Sequence, residues 1–365
     1  MERKAGMHRP LVTYDLNPSQ YELHAVIGTC CNGAGTVHLA RHLPTQKLLA
    51  VKKIHLDAQM VDMKYLEHEV LMNRTMSHVN IVSCHCTFVH DNHLWIILPL
   101  MAFGSSSDLL AAHFSEGLPE AAIAFILYEV LKGLEYLHSK GVIHRSVRAS
   151  HILISAEGHV CLSGLRFAYS MLQEGQRSKI VHDFPENFVN SLLWSSPELL
   201  GQSFAGYNTK TDIYSVGITA CELGNGGVPF ADMPVTQMLL EKMEGCTPQL
   251  IDMQTMPELQ QATPGAHGEE SLPFQRTFSQ HFKNFVEVCL SPDPKNRPTA
   301  SSLLQHSFFK QIRRKSGMES LVSLLHPVTP ISDVGSVPTQ DAEADLNDIT
   351  ANLQSVSVET HLWDF

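Results

Sequence analysis

Residues 144–153 read His144-Arg145-Ser146-Val147-Arg148-Ala149-Ser150-His151-Ile152-Leu153. Written H-R-D-L-x-x-x-N, this frame serves phosphoryl transfer. Its Asp accepts the proton of an attacking hydroxyl, and its Asn holds a Mg²⁺ ion. Here Ser146 stands at the Asp position and His151 at the Asn position. A neutral hydroxyl cannot take a proton at pH 7 as a carboxylate can, and imidazole suits zinc or copper better than magnesium. Eighteen residues after Ser146, where a second carboxylate would bridge Mg²⁺ to phosphate, the chain reads Gly164-Leu165-Arg166. The frame is kept, and its base and both metal ligands are gone.

Other landmarks fall in the order that the same chemistry requires. Ile27-Gly28 opens a glycine-rich turn that Gly33-Ala34-Gly35-Thr36-Val37 closes. The phosphate-cradling frame G-x-G-x-x-G-x-V is two residues shorter, and the middle glycine is missing. Lys52 ends an Ala50-Val51-Lys52 strand, and Glu69 lies in the next helical stretch, placed to pair with it. Ser196-Pro197-Glu198 matches A-P-E, Asp212 opens a helix, and Arg297 follows Asn296, so that Glu198 and Arg297 are expected to form a buried ion pair. A lone Lys–Glu pair or a lone glycine turn means little. In sequence and at this spacing they define a protein-kinase fold, an α+β architecture with a small β-rich N-lobe and a larger helical C-lobe.

Those landmarks need elements to carry them. Strand patterns run over His24–Gly28, Gly35–His42, Leu48–His55, Ile81–Val89 and Leu94–Leu98, with a helix over Ala58–Met76. Beyond Gly104 the pattern turns helical: Pro119 opens a helix with Ile123, Leu127, Val130, Leu134 and Leu137 on one face. Further helices are expected over Thr211–Asn225, Pro234–Gly245, Ser279–Cys289 and Ala300–Gln305. The division that follows is an N-terminal segment 1–20, an N-lobe 21–104, a C-lobe 105–312 with an activation segment 164–198 and a long loop 246–276, and a tail 313–365.

Composition narrows the class. The 365 residues carry a formal net charge of −11, which argues against a nucleic-acid partner. No Lys or Arg follows Lys315, while eight acids lie between Glu319 and Asp364, so much of that charge belongs to the tail. Eight cysteines without a secretory signal point to reduced intracellular thiols. The longest apolar run, Leu94 to Phe103, is broken by Pro99 and is too short to span a bilayer, so no membrane partner is expected. His78, Cys84, His85, Cys86, His90 and His93 alternate as a strand does and lack zinc-site spacing, so no metal is expected there.

The motifs His144-Arg145-Ser146, Leu162-Ser163-Gly164-Leu165-Arg166 and Asp212-Ile213-Tyr214-Ser215-Val216-Gly217-Ile218 together resemble the sterile-20-related adaptor (STRAD) pseudokinases. Retained Lys52 and the ending Trp363-Asp364-Phe365 are most similar to the beta form. The resemblance implies an adaptor that activates serine/threonine kinase 11 without phosphorylating it and helps to hold it in the cytoplasm. The reduced thiols and the lack of a secretory signal make cytoplasm and nucleus the expected locations. The resemblance also implies a helical-repeat scaffold, calcium-binding protein 39, gripping the C-terminal Trp363, Asp364 and Phe365. Matched to kinase positions, Ile27, Gly28, Gly33, Gly35 and Val37 cover a nucleotide from above with Ala50, and Leu153 lies below. Leu98 is the gatekeeper, Pro99 C=O and Met101 N–H meet the adenine edge, and Lys52, held by Glu69, meets phosphate. The expectation is ATP bound but not hydrolysed, with no metal required and with Arg148 and Arg166 supplying positive charge. The alternative is a weakly active, Mg²⁺-independent Ser/Thr kinase.

Overall fold

A computed structural model describes residues 14–331 apart from 59–60, 174, 187, 256–275 and 315–316. The N-lobe is an antiparallel sheet of β1 (Tyr21–Cys30), β2 (Gly35–His42), β3 (Lys47–His55), β4 (Cys86–His90) and β5 (His93–Pro99), in the order β1-β2-β3-β5-β4. Alternation over the first half of β2 buries Val37 and Leu39 in one cluster, while Ala40 is buried in another on the opposite face. Helix α1 (Met63–Thr75) starts where Asp62 caps the backbone N–H groups of Lys64 and Tyr65, and it buries Leu66, Glu69 and Met72.

The strand pattern expected from Ile81 begins later, at Cys86. Ile81 bridges Leu162 instead, the Val82 N–H donates to Leu162 O, and Asn80 Nδ2 reaches both Glu129 and Val160 O. This stretch is therefore pinned to the C-lobe, and its apolar residues serve the lobe junction.

Short strand β6 (Gly104–Ser105) leads into helix α2 (Ser106–His113), closed by a Ser105–Asp108 capping box. Helix α3 (Glu120–Ser139) is buried nearly all round: Ile123, Leu127, Val130, Leu134 and Leu137 form the expected stripe, and Ala124, Phe125, Ile126 and Leu131 bury the other faces. β7 (Val142–Ile143), β8 (Ile152–Ile154) and β9 (Val160–Leu162) flank the loop that carries Ser146. Behind it, α4 (Pro197–Leu200), α5 (Lys210–Asn225), α6 (Val235–Met243), α7 (Gln280–Cys289), α8 (Ala300–Leu303) and α9 (Gly317–Leu324) complete the C-lobe. Arg297 and Glu198 form the expected pair in bidentate geometry, at 2.6 and 2.9 Å. Most of the 246–276 loop and the end of the tail lie outside the described residues. No helix among the described residues is long and apolar enough to cross a membrane.

Candidate functional site

The upper wall of the site is built by β1, the following turn, β2 and β3. Ile27, Val37 and Ala50 from β1, β2 and β3 above and Leu153 from β8 below come together with Leu98 and Met101 in one buried apolar cluster. Gly28 pairs with Val37 across the β1–β2 ladder, and Gly33 takes φ +86°, a left-handed conformation open to glycine. Gly35 has a different reason: a Cβ there would sit 2.6 Å from Cys30 Sγ and 2.8 Å from Lys53 O.

Beneath the turn, Lys52 Nζ meets Glu69 Oε1 at 2.7 Å, with both side chains buried. Helix α1 is therefore swung fully inward. His68 Nε2 bonds Ala168 O at 2.7 Å, and Tyr65 packs edge-on against Phe167, so the base of the activation segment holds α1 in that position.

Two cysteines fill the place of the missing glycine. Cys30 and Cys31 are buried, and Arg166 Nη1 donates to Cys31 Sγ at 3.4 Å, tying the turn to the Gly164-Leu165-Arg166 string. The hydrogen bond from Cys30 holds the Cys31 thiol below its ordinary value; burial opposes this, and Lys52 and Arg166 add positive charge. Among the described residues the buried Nε of Arg166 has no hydrogen-bond partner. An orphaned cationic donor close under the glycine turn fits an anion such as a phosphate.

The catalytic-loop positions are not merely changed in type; they are occupied. Asp212 accepts the backbone N–H groups of His144 and Arg145 at 2.9 and 2.8 Å, and His138 Nε2 at 2.7 Å. Burial would raise this carboxyl, but His138, His144 and the His144 N–H hold it below its ordinary value. The loop is thus well anchored, yet the Ser146 hydroxyl is buried and bonded to Ser191 Oγ at 2.9 Å.

His151 is sealed in as well. Arg148 Nε and Nη2 approach its Nε2 at 3.3 and 3.0 Å, and because arginine only donates, that nitrogen must accept. Its Nδ1–H then donates to Ser146 O at 2.6 Å. Burial, with Arg148 close by, keeps this imidazole neutral and its pKa well below the ordinary range. Both ring nitrogens are committed, leaving no lone pair for a metal.

Gly164 sits at φ +79° against that ring: a Cβ would lie 2.4 Å from His151 Nδ1. The absent carboxylate and the substituted amide are therefore one packing unit. Among the described residues no group of three or more His, Cys, Asp or Glu is placed to hold a metal.

Arg148 lies lower than a phosphate-binding group should. Besides His151 it donates to Asn190 O at 2.8 Å and stacks over Trp194. Of the two arginines that the sequence singles out, Arg166 reaches Cys31 in the glycine turn and lies over the Tyr65 and Phe167 rings, while Arg148 braces the activation segment. Ser191 and Asp183 were not legible as site residues. Asp183 Oδ2 takes Arg145 Nη1 at 2.7 Å, and Arg145 also reaches Tyr207 Oη at 2.9 Å. A doublet of cysteines where glycine belongs was the one available signal for Cys31. Trp363, Asp364 and Phe365 lie outside the described residues.

A slot roofed by a glycine turn, a Lys–Glu pair and an anchored catalytic loop define a protein-kinase domain, and the protein-kinase-domain family matches residues 21–309. The chain belongs to that family. Within it, the chain is 47% identical over 94% of its length to the STE20-related kinase adapter protein alpha of Mus musculus, covering 84% of that protein, and matches the Homo sapiens alpha form to the same extent. It is 42% identical over 91% of its length to the Homo sapiens beta form, covering 85% of it. The chain is therefore a member of the STE20-related kinase adapter family. Identity to these alpha forms exceeds that to the beta form, which corrects the expectation drawn from Lys52 and the final three residues.

Proposed function

We propose that this chain is a catalytically inactive pseudokinase adaptor. It binds and allosterically activates a partner Ser/Thr kinase, serine/threonine kinase 11, together with the helical-repeat scaffold calcium-binding protein 39, and promotes cytoplasmic retention of that kinase. The observation that carries the reading is the pairing of a closed frame with a sealed centre. Lys52–Glu69 is formed and α1 is in, while the Ser146 hydroxyl is spent on Ser191 and Gly164 is packed on His151. Loss of a general base alone forfeits ~10²–10⁴ in rate. Loss of the metal ligands also removes the charge neutralisation on which phosphoryl transfer depends.

The activation segment supports an adaptor role. Asp183 gives Arg145 a fixed carboxylate, where switching kinases order this segment through a phosphate on arginine. Leu172, Ile180, Val189 and Phe204 are exposed on the segment and the loop after it, a surface suited to a protein partner.

The test is reconstitution. The purified chain alone should show no radiolabelled phosphoryl transfer, with or without Ser146→Asp, yet raise the activity of serine/threonine kinase 11 when mixed with it and the scaffold. Turnover by the chain alone that disappears with Lys52→Met would instead favour the Mg²⁺-independent kinase.

Nucleotide binding belongs to the same reading. ATP occupies the apolar slot, with Lys52 and the free Nε of Arg166 on its phosphates in place of a metal. ATP in excess chelator should raise the melting temperature, by an amount that grows with ATP concentration. A shift that appears only after Mg²⁺ is added would count against metal-free binding.

The scaffold is bound through Trp363, Asp364 and Phe365: two large aromatics at the end of an acidic tether are the kind of anchor that fills pockets on a partner. Deleting residues 363–365 should weaken scaffold binding by about 2–4 kcal/mol. The melting temperature of the chain should stay unchanged. Undiminished scaffold affinity would place the anchors elsewhere.

A further inference from the structure

The chain does not end its structural work at the C-lobe. Leu321 on α9 and the following Leu325 are fully buried in the C-lobe core, and Val328 packs on the same core. The backbone then climbs to the lobe junction. Pro330 is buried, and the Ile331 N–H donates to Ala102 O at 3.0 Å. Ala102 directly follows Met101, whose N–H the sequence assigns to the adenine edge. The Ile331 side chain packs, half-buried, against the cluster that contains Ile27, Val37, Ala50, Leu98, Met101 and Leu153. A short strap thus runs from one lobe's core to the other's, crossing the hinge.

We infer that Ile331 is a nucleotide-binding residue, a tail-borne wall of the adenine slot. The inference rests on the reading of that slot as a nucleotide site. Three observations carry it. Ala102 is buried, and its carbonyl accepts the Ile331 N–H, which holds the strap at the hinge. The carbonyl it takes is not one assigned to adenine, because Pro99 C=O and Met101 N–H serve the base edge; strap and nucleotide can be accommodated together. Finally, the cluster that Ile331 packs against includes Ile27, Val37, Ala50, Leu98, Met101 and Leu153, and the Ile331 backbone is bonded to the residue after Met101, so its apolar side chain would add a dry edge for a purine. Pro330 directly before it fixes the approach with little loss of chain entropy.

The ligand class is an adenine nucleoside or nucleotide, and the contact is to the base. The full-length chain is titrated with N-methylanthraniloyl-ATP, and adenosine is then used as competitor. Ile331→Ala should weaken binding about fivefold, the effect of losing part of an isoleucine's burial. Ile331→Asp should weaken it more than tenfold, because it sets a carboxylate against the slot. The loss should be the same for adenosine as for the triphosphate. Thr329→Ala, two residues earlier on the exposed side of the strap, should change nothing. In hydrogen exchange, the Ile331 amide should be protected in the wild type and released in Ile331→Asp.

Wild-type binding with unaltered affinity in both Ile331 variants would overturn the inference and leave the nucleotide reading standing. Tighter binding by Ile331→Ala would also overturn it, by showing that the strap competes with the nucleotide. Absence of any wild-type binding would bring down the nucleotide reading and this inference with it.

Discussion

Gly164→Asp, the substitution that writes the metal-binding carboxylate back into its place, is expected to destabilise the chain by about 3 kcal/mol or more instead of conferring activity. The position has φ +79°, where any side chain is strained, and its Cβ would stand 2.4 to 2.6 Å from three ring atoms of His151. That ring cannot step aside cheaply. Its Nδ1 is tied to Ser146 O and its Nε2 to Arg148, and all three residues are buried. The new carboxylate would also be buried without a metal to receive it. At ~2–4 °C per kcal/mol for a domain of this size, the melting temperature should fall by about 6–12 °C. Gly164→Ala carries the steric part alone and should fall by less. Adding His151→Asn to Gly164→Asp should return at least half of the loss, because a short amide is freed from the Arg148 contact and can turn away. A Gly164→Asp protein that melts with the wild type would show that the glycine and the imidazole are not the single unit described above.

That coupling also marks the limit of what the sequence could reveal. The kinase frame was legible because its anchors are chemically singular and spaced by the fold: Lys52 and Glu69 meet, Asp212 holds the catalytic loop, and Arg297 meets Glu198. That Val37, Ala50 and Leu153 meet in one cluster was legible for the same reason, since they stand at fixed offsets from those anchors. The destinations of groups with many possible partners were not. Nothing in Ser146 points to Ser191, 45 residues away, and nothing in Arg145 points to Asp183. Arg148 and Arg166 read alike in the sequence as cations near phosphate, but burial among His151, Asn190 and Trp194 takes Arg148 away from that role. The strand expected at Ile81 failed because alternation says which residues are buried and not which lobe buries them.

The pair at the centre of the slot gives the other large effect. Lys52→Met should lower the melting temperature by about 10 °C as well as abolish nucleotide binding, because one partner of a buried pair is removed and the other stays charged; such breaks cost about 3–5 kcal/mol. The asymmetry is sharpened by Glu69: among the described residues its second oxygen, Oε2, is buried without a partner, while Lys52 bonds Oε1. Combining Lys52→Met with Glu69→Gln should recover most of that stability, since a neutral amide is far cheaper to bury than a carboxylate. It should recover none of the nucleotide affinity, since the cation meant for phosphate is still missing. This split separates the two roles of the lysine in a way that a single substitution cannot. On the proposed adaptor reading, a double variant that still activates serine/threonine kinase 11 would show that the closed frame is what the partner reads, with the nucleotide serving only to hold it shut. If activation is lost while stability returns, occupancy of the slot is itself part of the signal. A Lys52→Met protein of wild-type stability would mean that Glu69 finds another partner, and the pair could then no longer be credited with holding α1 against the sheet.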